Sequence, residues 1–551
     1  MKRWRHYLVV IAFLAGCTGV GARVVFLNVS DRAFLQEQGN ARAIRQQILP
    51  AYRGVIYDRH GEALAVSTPV AAIWTDPSFV TLAESAVARV AVVLERDPQA
   101  LARELAASAG REFLYLGRRV PWEVAERVRE LGLDGVYIQR EYRRYYPAGE
   151  MAAHVVGMTN IDDLGLEGIE LSYDEHLRGR PGRKTVLKNR RGETIEDLEF
   201  LAAPDYGEDL TLSLDMRLQF VAYRELKAAV AGNHAKSGSL VMLDARTGEV
   251  LALVNEPSYN PNDLASASRE GMRNRAVTDT YEPGSTIKPF TVLAALATSR
   301  WRPDSAIDTA PGYFRVGNKL VQDPVNRGII SLSQALQKSS QVGIAKVALD
   351  LEPRAVYDVL NRAGVGEFIG TGLPGEVAGR LSDEGLDNAV VRTTLAYGYG
   401  LAVSPLQLAQ GYLTLASGGE RLPVSVLRSD RPARTRPVFD PGLAASVLTM
   451  METVTERGGT APRAHVPGYR IAGKTGTSRK VGPQGYDDER HVALFAGVAP
   501  ASEPRFVMVV VINEPGGSAK GGGEVAAPVF GNVAARALRL LGVRPDAGIT
   551  L

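Results

Sequence analysis

The sequence predicts an α+β multidomain chain, and three observations carry that reading. An apolar run near the amino terminus is flanked by basic residues; a charged, turn-rich stretch to about residue 205 holds two helical patterns; from residue 206 onward, strand patterns alternate with helical ones. The expected segments are a short amino-terminal stretch (1–6), an apolar helix (7–27), an elongated mixed domain (28–205) and a second mixed domain (206–551). With 551 residues and 45% hydrophobic content the chain has the composition of globular material with buried cores.

At the amino terminus Lys2, Arg3 and Arg5 precede an apolar run from Tyr7 to Ala22, which resumes after Arg23 with Val24, Val25, Phe26 and Leu27. Three readings compete: an uncleaved single span, a cleaved signal peptide, and a lipoprotein signal in which Leu14-Ala15-Gly16-Cys17 forms a lipobox. The span is favoured, because the apolar residues run past Cys17 to roughly the 20 needed to cross a bilayer, and Arg23 can snorkel. Basic residues stay cytoplasmic, so the remainder is expected outside the inner membrane, amino terminus in.

Between Asn28 and Asp205, short apolar alternations at Val55 to Tyr57 and Ala71 to Trp74 read as strands. Val87 to Leu105 and Trp122 to Leu133 carry apolar residues at helical spacing. Pro204 and Gly207 punctuate the passage into the strand pattern Leu210 to Asp215. Beyond it, Leu240 to Ala245 and Glu249 to Val254 form a hairpin pattern turning at Arg246 to Gly248. Helical patterns follow Ser285 and cover Leu332 to Leu349, Pro405 to Ala416 and Val525 to Leu541. Phe506 to Asn513 is nearly all apolar, a strand expected to be buried on both faces.

Composition excludes several classes. Lys+Arg 64 against Asp+Glu 61 gives a formal charge of +3, without the basic stripe of a nucleic-acid binder. The one cysteine, Cys17, allows neither an internal disulfide nor a cysteine-based zinc site, and the seven histidines show no paired ligand spacing. No metal or cofactor is expected.

Chemistry is concentrated in Ser285-Thr-Ile-Lys288, at the start of a helical pattern and behind the Pro283-Gly284 turn. Lys288 lies one helical turn beyond Ser285 on the same face, so a neutral amine there can take the serine proton, provided burial or a neighbouring cation lowers the lysine pKa. Alone, a Ser-x-x-Lys is weak evidence and is usually a solvated helix face. It is the only one in the chain, however, and Ser339-Ser340-Gln341 and Lys474-Thr475-Gly476-Thr477 follow it in order.

Ser-x-x-Lys, Ser-x-Asn and Lys-Thr-Gly together are the signature of penicillin-binding proteins and serine β-lactamases, and the chain resembles that superfamily. Arg53-Gly-Val-Ile-Tyr-Asp58-Arg59-His-Gly61, Tyr146-Pro147-x-Gly149, Gly165-x-Glu167-Gly168-x-Glu170 and the basic segment Arg178 to Arg191 look like motifs of the pedestal (dimerisation-type) domain of class B members. Asp244-x-x-Thr247-Gly248, Tyr259-Asn-Pro-Asn262 and Tyr397-Gly-Tyr-Gly400 resemble landmarks of the transpeptidase domain. Ser339-Ser-Gln-Val-Gly343 and Phe495-Ala-Gly-Val-Ala-Pro500 look like the division-specific, septal branch of Gram-negative bacteria.

The resemblance implies a serine β-lactamase-like domain, an antiparallel sheet flanked by helices. It also implies a peptidoglycan D,D-transpeptidase acting on stem peptides that end in D-Ala-D-Ala and inhibited by β-lactams. In it Ser285 is the nucleophile, Lys288 the base and Ser339 a proton relay. Lys474, Thr475, Gly476 and Thr477 are substrate-binding, Lys474 supplying positive charge and the Thr475 and Thr477 hydroxyls binding the terminal carboxylate, and Gln341 holds the stem amide. Gln341 departs from the family's asparagine: it keeps the carboxamide but adds a methylene, so its geometry must adjust. Implied partners are an amine acceptor stem, a membrane lipid-linked-precursor polymerase and other divisome proteins. An elongation-type relative, a D,D-carboxypeptidase, a β-lactamase or an inert divisome scaffold are the alternatives.

Overall fold

A computed structural model describes residues 3–29, 44–78, 82–188, 194–482 and 485–547. Lys2 of the basic flank, residues 30–43 of the expected pedestal, and Arg190 and Arg191 of the basic segment lie outside these.

The apolar run forms one helix, α1 (Arg3–Val29), with a mean hydropathy of 2.1 over its most apolar 18 residues and no buried residue. It is long and apolar enough to cross a membrane.

Two compact units follow, and neither is contiguous in sequence. The smaller comprises residues 1–54, 67–143 and 178–208; the larger comprises 55–66, 144–177 and 209–551. Residues 55–66 and 144–177 thus belong by their contacts to the larger unit. Long-range pairing explains this: Ile56 and Tyr57 align in parallel with Leu210 and Thr211, and Tyr146 exchanges hydrogen bonds with the Asn262 side chain, its N–H donating to Oδ1 (3.0 Å) and its carbonyl accepting from Nδ2 (2.9 Å). Inside the larger unit, Arg144 Nε donates to Glu170 Oε1 at 2.6 Å with both side chains essentially inaccessible.

In the smaller unit, Ile44–Leu49, Gly182–Lys188 and Thr194–Ala202 form a three-stranded antiparallel sheet with Gly182–Lys188 in the middle. Residues 71–75 pair with 114–120, and Val87, Val90, Leu101, Leu116 and Val128 form a separate core. The helical pattern Val87 to Leu105 is two helices, Glu84–Val93 and Pro98–Ala107. Asp97 caps the second by accepting from Gln99 N and Ala100 N, and Pro98 takes the first position, where no amide is needed.

The larger unit is built on five strands: β1 (Ser237–Asp244), β2 (Val250–Glu256), β3 (Ala472–Gly482), β4 (Gly485–Ala499) and β5 (Phe506–Asn513). They are antiparallel throughout, in the order β2-β1-β5-β4-β3, so β3 is an edge. Every residue of β5 is buried, and its side chains alternate: Val507, Val509 and Val511 enter one core, while Phe506, Met508, Val510 and Ile512 enter the other.

Helices cover both faces. On one side lie α2 (Met216–Gly232) and the carboxy-terminal helix Ala527–Leu540; on the other lie Lys288–Leu296 (α3), Pro405–Ala416 and Pro441–Thr455. The pattern Leu332 to Leu349 is broken in two, Leu332–Gln337 and Gln341–Asp350 (α4). The apolar spacing runs through the break, but Ser339 adopts φ +57°, which no helix continues. Strand β3 begins at Ala472, just after a turn in which Tyr469 N donates to Val466 O at 3.0 Å.

Phe530 and Phe495 meet edge to face at 4.9 Å between the sheet and the carboxy-terminal helix, both fully buried. Phe530→Ala is expected to destabilise the larger unit by about 3–5 kcal/mol, read as a lower denaturant midpoint; an unchanged midpoint would place this contact outside the core.

Candidate active site

Ser285 sits in a tight turn, Gly284–Ile287, that leads directly into α3. Gly284 has φ +53°, and its N–H donates to Gly398 O at 3.0 Å, so the Tyr397–Gly400 loop lies against the turn. A Cβ at Gly398 would come within 1.9 Å of Gly284 O, which only glycine avoids. Beneath the turn, Thr286 Oγ1 donates to Pro283 O (2.8 Å) and the buried Tyr412 hydroxyl donates to Thr286 O (2.7 Å). Ser285 is half-buried, and its hydroxyl makes no hydrogen bond among the described residues.

Strand β3 brings Lys474 to Thr477 alongside. Gly476 permits the approach, since a Cβ there would meet Pro283 O at 2.8 Å and Thr286 Cγ2 at 2.9 Å. Thr477 O faces Gly284, and Thr477 Oγ1 accepts from Gly522 N at 3.1 Å. Thr475 Oγ1 is 2.8 Å from Thr460 Oγ1, a residue the motif reading did not single out.

The break before α4 places Ser339 between two lysines. Lys288 Nζ donates to Ser339 O (2.5 Å) and Ser339 Oγ (3.1 Å); Lys474 Nζ donates to Ser339 Oγ (3.0 Å) and Thr475 O (3.1 Å). Both lysines are wholly buried. Burial pushes the Lys288 ammonium down to about 7; the Asp323 carboxylate opposes the drop and the Arg327 guanidinium adds to it. Lys474 is pushed well below the usual lysine value, by burial first and then by the positive charge of Lys288. In this state Lys288 bonds Ser339 and not Ser285, so the structure joins Lys288, Ser339, Lys474 and Thr475 in one network and leaves the Ser285 hydroxyl beside it.

Gln341 begins α4. Its N–H donates to Asp323 Oδ1 at 2.5 Å, while its carboxamide makes no hydrogen bond among the described residues. Two further neighbours escaped sequence reasoning. Asp323 accepts from the first turn of α4. Glu282, three residues before Ser285, accepts from Gly400 N (2.9 Å) and the Tyr486 hydroxyl (3.2 Å), and so ties the Ser285 turn to the Tyr397–Gly400 loop and to β4. An aspartate and a glutamate in loops carry no periodic or spacing signal that would have marked them. No group of three or more His, Cys, Asp or Glu among the described residues is arranged to hold a metal.

The geometry can do general-base chemistry on a serine. The neutral form of Lys288 has two N–H protons, both accounted for by Ser339 O and Oγ, which leaves its lone pair unengaged. Ser339 Oγ accepts from both lysines, which leaves its own proton to give.

Comparison with known proteins gives matches along nearly the whole chain. The family model for the penicillin-binding protein transpeptidase domain matches residues 238–535, and that for the penicillin-binding protein dimerisation domain matches residues 48–212. The chain is 42% identical to the peptidoglycan D,D-transpeptidase FtsI of Escherichia coli, over 99% of this chain and 93% of that one. It is 40% identical to the probable peptidoglycan D,D-transpeptidase PbpC of Pseudomonas aeruginosa, over 99% and 96%. Among solved structures, penicillin-binding protein 3 of Mycobacterium tuberculosis in complex with aztreonam superposes with a TM-score of 0.71 at 27% identity, covering 92% of this chain and 99% of that one. With both domain models matched and relatives this similar over nearly the full length, the chain belongs to the penicillin-binding proteins, as a D,D-transpeptidase of the type that joins a dimerisation domain to a transpeptidase domain.

Proposed function

We propose that this chain is the septal peptidoglycan D,D-transpeptidase of a Gram-negative-type cell, cross-linking stem peptides through an ester on Ser285. In this reading α1 anchors it in the inner membrane, amino terminus inside, with the dimerisation and transpeptidase domains in the periplasm. The observation that carries the chemistry is the convergence of two buried lysines on Ser339 Oγ beside the half-buried Ser285. The septal assignment is supported by the full-length similarity to FtsI and by the Ser339–Gly343 and Phe495–Pro500 segments.

Neutral Lys288 takes the Ser285 proton as Oγ bonds to the carbonyl carbon of the penultimate D-alanine. The backbone N–H groups of Ser285 and Thr477 hold the oxyanion, the sort of fixed donor that contributes on the order of 3 kcal/mol. Lys474, Thr475 and Thr477 bind the terminal carboxylate, and Gln341, its carboxamide uncommitted, holds the stem amide. The C–N bond then breaks, and the departing D-alanine nitrogen receives a proton from Ser339, replenished from protonated Lys288. In the second half an amine of a neighbouring stem attacks the ester carbon. A new C–N bond replaces the C–Oγ bond, one amine proton returns through Lys288 to Ser285, and any further proton leaves to solvent. β-Lactams enter the first half and stall there. A membrane lipid-linked-precursor polymerase and other division proteins are the proposed partners.

Because the reactive form of Lys288 is the unprotonated one, the second-order rate constant for acylation by a penicillin is expected to rise with pH, roughly tenfold per unit below about 7, and to level off above it. A profile flat from acid to alkaline pH would remove Lys288 as the base. In cells, depletion is expected to give filaments that the wild-type gene rescues and a Ser285→Ala copy does not; swollen round cells would place the protein in the elongation branch.

A further inference from the structure

Helix α4 opens with three amides that have no acceptor within the helix, and the way they are satisfied is unusual. Ser340, the N-cap, takes Gly343 N–H on its Oγ at 2.9 Å. The other two go to a carboxylate from a distant segment: Asp323 Oδ1 accepts from Gln341 N (2.5 Å) and Val342 N (3.3 Å), and Oδ2 accepts the Ser340 hydroxyl. The circuit is closed, with each donor used and both carboxylate oxygens occupied. Asp323 is 3% exposed, and its own N–H donates to Gly312 O at 2.9 Å. It ends a two-stranded ribbon, Tyr313–Val316 with Lys319–Gln322, whose Val316 and Val321 share a small core with Val342, Ala345 and Tyr397. The ribbon is therefore packed onto the same helix end that its aspartate grips.

What this grip holds in place is Ser339. That residue stands immediately before the N-cap, in a left-handed conformation that serine does not favour. Its Oγ must reach Lys288 at 3.1 Å and Lys474 at 3.0 Å together. A rotation of the first turn of α4 would move it off one lysine or the other.

We propose that Asp323 is a positioning residue for the transfer reaction: its carboxylate clamps the first turn of α4 and so sets Ser339 between the two lysines. The inference rests on the acyl-enzyme reading above and deepens it. It also accounts for Gln341, since the anchor of that residue is its backbone N–H and not its side chain, and a longer carboxamide leaves the clamp intact. The clamp has an electrostatic side. The charged or titratable groups facing Lys288 are Asp323, Arg327 and Lys474, and of these only Asp323 favours the protonated amine. Removing its charge must lower the proton affinity of Lys288, an effect that a purely structural cap would not have.

The test uses the full chain in detergent and a penicillin as probe. In Asp323→Asn the carboxamide still accepts the two amides but turns a donor toward Ser340 Oγ. Acylation is expected to fall on the order of tenfold to a hundredfold, the scale of a small misplacement of a reacting group. The acid limb of its pH profile should move below the parental value of about 7, and amide exchange at 341–343 should speed up. Asp323→Glu keeps the charge and is expected to leave the limb in place while still slowing acylation. Parental rate and limb in a folded Asp323→Asn would overturn the proposal. Should that variant not fold, parental acylation by Asp323→Glu would do the same. Adduct formation on Ser285 in the parent is read in the same spectra, so its absence counts against the acyl-enzyme reading, whereas equal acylation of parent and variant counts against Asp323.

Discussion

Two lysines buried against one serine hydroxyl are the constraint around which the larger unit is arranged. Among the described residues neither Lys288 nor Lys474 has a carboxylate in hydrogen-bond contact; both donate to Ser339 Oγ and to neutral carbonyls. Burying two ammonium groups side by side is costly, and the cost is relieved by losing protons. The site thereby obtains an uncharged amine at neutral pH from burial and a like-charged neighbour. Asp323 stands at the edge of this cluster, tempering the depression without forming an ion pair with either lysine.

That arrangement requires three segments far apart in sequence to meet within van der Waals contact, and glycines make the meeting possible. Gly476 lets the edge strand lie on the Ser285 turn, and Gly398 lets the Tyr397–Gly400 loop close on its other side. At both positions a single methyl would collide with backbone oxygen at 2.8 Å or less. The sheet supplies the stiffness behind this contact: β3 is held by β4 over most of its length, and β5 and β1, buried on both faces, fix β4 in turn.

Much of this was legible in the sequence because it is local. The Ser285–Lys288 spacing, the nearly all-apolar Phe506–Asn513 and the hairpin at Arg246 to Gly248 follow from periodicity and turn chemistry. What was not legible is long-range. Apolar spacing predicts a continuous helix from Leu332 to Leu349, and the break at Ser339 is sustained by a carboxylate 17 residues upstream of Ser340, which pattern alone cannot connect. Likewise the sharing of 55–66 and 144–177 with the larger unit depends on pairing Ile56 with Leu210 and Tyr146 with Asn262. The Ser285–Lys288, Ser339–Gln341 and Lys474–Thr477 motifs stand as separate points along the chain; their joining through Ser339 Oγ is a property of the fold.

The central claim is that Ser285 is the residue acylated. Intact mass and peptide mapping of a soluble fragment beginning near residue 28, after incubation with a penicillin, test it most directly. One adduct per chain, mapped to the peptide carrying Ser285, is the predicted result; a folded fragment that stays unmodified, or an adduct on another residue, would contradict it.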